Sequence, residues 1–101
     1  MNKVSMIGTI TCRDGKADEM ERVLTDMVAA ARHEPGVEIY SYHRGDDDVF
    51  WFFALMSDAV SMQHHGQSEA MQTAMRAFGP LMAEPPQVHT ATPIAAIGFD
   101  L

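Results

Sequence analysis

The segment SDAVSMQHHGQSEAM, Ser57 to Met71, sets His64 and His65 side by side and follows them at once with Gly66. Imidazole is the side chain whose ordinary pKa lies nearest neutrality, so either histidine suits a general base. As a shared metal site the pair is poorly arranged. Adjacent helical residues point about 100° apart, and nothing nearby completes a ligand set. The plainer role is at a helix C-terminus, where an imidazolium complements the helix dipole. Gly66 is expected to end a short helix there, so that His65 reaches inward and His64 is its exposed neighbour.

Other side chains could work beside such a base. Tyr40, Tyr42 and Arg44 alternate along VEIYSYHR and share one strand face, with Ile39, Ser41 and His43 on the other. A phenol hydroxyl or a guanidinium there could hold a phenolate or carbonyl oxygen, although a ladder of surface side chains is the simpler reading for at least one tyrosine. In VFWFFALM, Trp51 and Phe53 share one face while Phe50 and Phe52 share the other. Most of these rings belong to a core or an interface, and one or two could form the flat wall of a pocket for an aromatic ligand. The chain has nine methionines. Met20, Met27, Met71, Met75 and Met82 fall at helical spacing and read first as core filler. Met71 and Met75 would also make a soft wall for an apolar ligand.

The elements that must position these groups are legible. Lys3 to Cys12 alternates with period two and reads as a half-buried strand. Asp14-Gly15 marks a turn. Met20, Val23, Leu24, Met27, Val28 and Ala31 then give the apolar stripe of a helix, with Asp18 and Glu19 in its first turn, Arg32 and His33 in its last, and Pro35-Gly36 as its stop. Val37–Arg44 and Val49–Met56 read as a hairpin closed by Gly45 to Asp48. That acidic tip is a solvated turn and not a calcium loop, since no bidentate Glu follows at the required spacing. Asp58 is a candidate N-cap for the short helix to about His65, and a longer helix resumes near Gln67 and ends at Pro85-Pro86. Val88 to Phe99, with Pro93 and Gly98, reads as an edge strand or one with a bulge. Strand, helix, strand, strand, helix, strand is the ferredoxin-like α+β order, βαββαβ, with both helices on one face of an antiparallel sheet. The third strand is apolar on both faces and must be covered on both. Sheet-to-sheet pairing of two copies is the economical cover.

Bulk properties narrow the function classes. The 101 residues suit one domain, 1–101, and 47% are hydrophobic, so a packed core is within reach. A formal charge of −7, with seven scattered Lys and Arg, argues against nucleic acid and anionic membrane surfaces. The lone Cys12 fits a reducing compartment, and MNKVSMIGTI lacks the features of a signal peptide, so a cytoplasmic location is expected. No Gly-rich phosphate loop and no Cys or His haem motif is present, so no flavin, nicotinamide, haem or metal is expected.

The run RHEPGVEIYSYHR, followed by the apolar strand and SDAVSMQHHGQSEAM, resembles the antibiotic biosynthesis monooxygenase family over nearly the whole chain. The resemblance implies a dimeric α/β barrel in which Glu34-Pro35-Gly36 is the turn closing the first helix, His65 is the family histidine and Ser68 the small hydroxyl residue after it. It also shows departures. Ala54 and Met56 stand where members often carry an acidic residue and a tryptophan, and Ala70 where a second histidine often lies. Its aromatic stands earlier, at Trp51. The haem-degrading branch is the least similar. The implied activity is cofactor-independent oxidation of a quinol or polyhydroxylated aromatic by O2 in a homodimer, with His65, Tyr42 and Arg44 catalytic. Trp51, Phe53, Ser68, Met71 and Met75 would contact substrate. Two alternatives stand beside it: an oxygen-independent isomerase or detoxifying enzyme acting on a reactive carbonyl, and a non-enzymatic dimer that binds a small ligand.

Overall fold

The computed structural model describes residues 2–101. Strand β1 (Val4–Thr11) leads to helix α1 (Ala17–Ala31), then strands β2 (Val37–Arg44) and β3 (Val49–Met56). Helices α2 (Ala59–Gln67) and α3 (Glu69–Phe78) follow, then a 3-10 turn at Gly79–Leu81 and strand β4 (Gln87–Ala91). The four strands form one sheet in the order β2-β3-β1-β4, every pair antiparallel. The expected α+β order is the observed one.

Helix α1 buries Met20, Leu24, Met27 and Ala31, the three-four spacing that lays one stripe on the sheet. It ends at Ala31, so Arg32 and His33 fall just beyond its last turn and not within it. The side of the sheet under the helices carries Ile10 from β1 with Phe50 and Phe52 from β3, all packed in the core cluster. Gly8 makes room among them: a Cβ there would run into the Gln87 carbonyl of β4 and the Phe52 ring. A side chain at this one position would push β4 and Phe52 apart.

The junction of α2 and α3 differs from expectation. Gly66 lies inside α2 and does not end it; the break falls at Ser68, which is extended at φ −65°, ψ 154°. The Ser68 hydroxyl donates to the His65 carbonyl at 2.9 Å and accepts from the Met71 amide at 3.1 Å. One side chain thus serves groups that both helix ends leave unpaired. At the other end of α2, Asp58 caps as expected, accepting from the Ser61 amide at 2.8 Å.

The opposite sheet face is open. Ile7 is 46% and Trp51 56% exposed. The C-terminal segment is a strand only as far as Ala91, shorter than the pattern predicts, because Pro93 has no N–H for the ladder. Beyond it the chain returns to the open face, where Phe99 meets Phe53 and the Lys3 ammonium donates to the Asp100 carbonyl. Among the described residues no helix is long and apolar enough to cross a membrane.

Candidate active site

The turn Glu34-Pro35-Gly36 does more than stop α1. Gly36 has φ +83°, and a Cβ there would collide with Ser61 on α2. Only glycine accepts that backbone without strain and lets α2 come this close. The Gly36 carbonyl also accepts from the Ser57 amide at 2.8 Å, tying the turn to the start of α2. Ser61 and His65 are four residues apart and share a face of the helix, so the contact at Ser61 brings His65 down onto Glu34.

His65 is 3% exposed, and its Nδ1 lies 2.7 Å from Oε2 of Glu34. Against a carboxylate, Nδ1 carries the proton and donates, which leaves the lone pair of the neutral ring on Nε2. Among the described residues the buried Nε2 has no partner, and neither has Oε1 of Glu34. Buried polar atoms are nearly always satisfied, so an orphaned ring nitrogen marks a place where something polar belongs. His64, its neighbour, is exposed.

Tyr40 packs edge-on against the His65 ring, centroids 5.0 Å apart at 87°. Its hydroxyl lies 3.2 Å from that of Tyr42 and 3.6 Å from Sδ of Met27. Burial pushes the Tyr42 phenol up to about 12. It pushes Tyr40 further in the same direction, helped by Tyr42 and by the Glu34 charge. Both stay protonated across the physiological range, so each keeps an O–H to donate, and in the contact between them one donates and the other accepts. Neither is the surface tyrosine that the strand pattern suggested.

Of these groups, His65 and Tyr42 border a cavity of about 430 Å³ between the sheet and helices α2 and α3. Tyr42 and Phe52 line its sheet side, His65 and Gly66 come from α2, and Met71, Met75 and Phe78 come from α3. Among the described residues five methionines reach it, Met6, Met62 and Met82 being the others. Among the described residues no Lys, Arg, Asp or Glu lines it. The arrangement offers one imidazole nitrogen, one phenol and apolar walls, enough to take a proton from a neutral hydroxyl and hold the resulting oxyanion.

The structure brings His65, Tyr42, Met71 and Met75 together and leaves the other candidates outside. Arg44 extends over the outer edge, paired with Asp18 at 2.8 Å and Glu21 at 2.9 Å, with its guanidinium over Phe50. Trp51 and Phe53 lie on the open face, because strand alternation points them away from His65; Phe52 supplies the aromatic wall instead. Ser68 is a helix cap. Glu34 carries no local signal of its place in the site: the sequence marks it as part of a turn, and its partner lies 31 positions away. Met62 had a local signal, being three residues before His65 on the same helix face. Among the described residues no group of three or more His, Cys, Asp or Glu could hold a metal ion.

A sheet of this order with a buried histidine under its helices defines a class. The antibiotic biosynthesis monooxygenase model matches residues 3–77, and the chain belongs to that family. No curated protein matches the sequence. Among solved structures, a candidate antibiotic biosynthesis monooxygenase from Caulobacter crescentus is 26% identical, with a TM-score of 0.88, covering 93% of this chain and 92% of the other. PA3566 from Pseudomonas aeruginosa is also 26% identical, with a TM-score of 0.83 and coverage of 94% and 97%. Rv0793 from Mycobacterium tuberculosis, at 19% identity and a TM-score of 0.85 over 93% and 97%, shares the fold.

Proposed function

We propose that the protein is a cofactor-independent monooxygenase that oxidises a neutral hydroxylated aromatic, a quinol or polyhydroxylated ring, with O2. The supporting observation is the buried, unpartnered Nε2 of His65 beside a cavity without charged lining, its Nδ1 held by Glu34. His65 takes the phenolic proton, Glu34 stabilises the imidazolium, and Tyr42 donates to the phenolate oxygen. The electron-rich anion passes one electron to O2, and the two radicals join through a new C–O bond at a ring carbon that bears hydrogen. Loss of that hydrogen as a proton, with cleavage of the O–O bond, leaves a quinone carbonyl and releases water. The substrate supplies every electron. Arg44, Trp51 and Phe53 have no part in this scheme.

The open face, with Ile7 and Trp51 exposed on it, is proposed as the surface on which two copies pair. Oxygen uptake by purified protein over a panel of quinols and hydroxylated anthrones tests the reaction. Uptake is expected in wild type and His64→Ala and at least a hundredfold less in His65→Ala. No uptake with any member of the panel would overturn it. A second reading rests on the same His–Glu pair, which can move a proton between two carbons without oxygen; turnover of a carbonyl substrate under anaerobic conditions would favour that isomerase.

A further inference from the structure

Gly66 and Gly79 both line the cavity. Neither has a backbone reason to be glycine. Gly66 lies inside a helix, Gly79 is helical at φ −50°, ψ −49°, and neither is among the residues with positive φ. Neither has a packing reason, since a Cβ at either would meet no atom within 4 Å. A glycine inside a helix is destabilising relative to alanine. What both positions keep is open space beside the cavity.

The two glycines mark its opposite ends. His65 touches Tyr40, which is level in the sheet with Ala54 and Met6. Gly79 opens the 3-10 turn, whose carbonyl at Leu81 accepts from Arg13 and whose next residue, Met82, bridges to Cys12. Between these levels the cavity is walled by Met6 and Ile10 of β1, about 13 Å apart along a strand. On the helix side Met71, Met75 and Phe78 cover about 10 Å of α3. The polar groups, His65 and Tyr42, are confined to one part of this slot. Toward Gly79 the lining includes Ile10, Phe78, Met82 and Pro86, none of them charged or hydroxylated. Met75, 56% exposed, is an apolar side chain held against an unfilled space.

We propose that the ligand is an amphiphilic phenol: its hydroxyl sits at His65 and Tyr42, and an apolar substituent of about 10 Å runs along α3 to Gly79. Gly79 sets the length of substituent accepted, and Gly66 keeps the ring end clear. The assignment rests on the reading of His65 and Tyr42 as the polar end of the site, but not on the oxidation itself.

Binding of 4-alkylphenols from methyl to octyl, measured by titration calorimetry, tests it without any requirement for O2. In wild type, affinity should rise roughly fourfold per added methylene until the slot is full. In Gly79→Leu the short phenols should bind as before, while the rise stops several carbons earlier. In Gly66→Leu every member should weaken. Circular dichroism establishes that each variant is folded, and the wild-type series stands alone if one is not. Affinity that does not depend on chain length in wild type, or a folded Gly79→Leu with the full rise intact, would overturn the proposal. Chain-length dependence without oxygen uptake from any quinol would keep it and overturn the monooxygenase.

Discussion

Phe52 and Trp51 are adjacent on β3, both large and aromatic, yet one is 4% and the other 56% exposed. Strand alternation puts them on opposite faces of the sheet, and the two faces have different fates. Under Phe52 the chain brings its own cover, three helices that close over a core and leave one cavity holding His65. Under Trp51 it brings only a C-terminal segment that reaches Phe53 through Phe99. A β-strand apolar on both sides therefore serves two purposes here. One side lines the candidate site, and the other stays largely exposed.

The contrast is most sharply broken at Phe52. Phe52→Ala should cost about 3–5 kcal/mol in urea unfolding, through a cavity beside Gly8 and Tyr42. Trp51→Ala, on protein dilute enough to be monomeric, should stay within about 0.5 kcal/mol. The same substitution should remove the rise of Tm with protein concentration that pairing confers. Equal costs at the two positions, or a wild-type Tm independent of concentration, would remove the distinction between the faces.

Gly36→Ala should have the next largest effect, about 1–3 kcal/mol from the left-handed backbone and more from the collision with Ser61. Because the same contact holds α2 over the turn, the low-field Nδ1 proton of His65 should be lost from the NMR spectrum. Ser61→Gly in that background should recover the collision part of the cost only. A normal Tm with the proton signal intact would dissociate the turn from the site.

The pH dependence of the covered face can be read optically, since Tyr40 and Tyr42 are the only tyrosines. Burial raises both phenols in the folded protein, Tyr42 to about 12 and Tyr40 beyond it. A raised folded pKa means that the stabilisation is complete below the ordinary phenol value of about 10 and is lost as pH rises through the folded one. Stability should therefore fall between about pH 10 and 12, and phenolate absorbance should appear with unfolding. Phenolate forming near pH 10 in a folded protein would show that these hydroxyls face water.

The smallest effect is expected at the start of α2. Ser61 holds the Asp58 carboxyl below its usual range, so the cap contributes above that range and is lost as pH falls through the folded pKa. Asp58→Ala should lower Tm slightly at neutral pH and leave it unchanged in acid. A wild-type advantage that persists in acid would assign the cap another role.

Much of this molecule was local, and so legible in order along the chain. Period-two alternation marks β1 and β2, an unbroken apolar run marks β3, three-four spacing marks α1, and Asp58 announces α2, because these signals act over a few residues of backbone geometry. The residue types of the site were equally plain: the His64-His65 pair, the tyrosines of β2, the methionines of α3. The family resemblance singled out His65. What the sequence could not settle was which of these groups meet. Glu34 reaches His65 across 31 residues only because Gly36 lets α2 settle on the turn, and nothing near either residue encodes that. Arg44 shares a strand face with Tyr42, but Asp18 and Glu21 of α1 draw it outward. Gly66 looks like a helix stop and is not one, because Ser68 supplies the cap that ends α2. The sequence alone determined the elements, their order and the chemistry available, since hydrogen bonding and side-chain periodicity are short-range. Tertiary structure decided which histidine is buried and what it touches, since burial and pairing depend on contacts that loops and close-packed glycines bring about at long range.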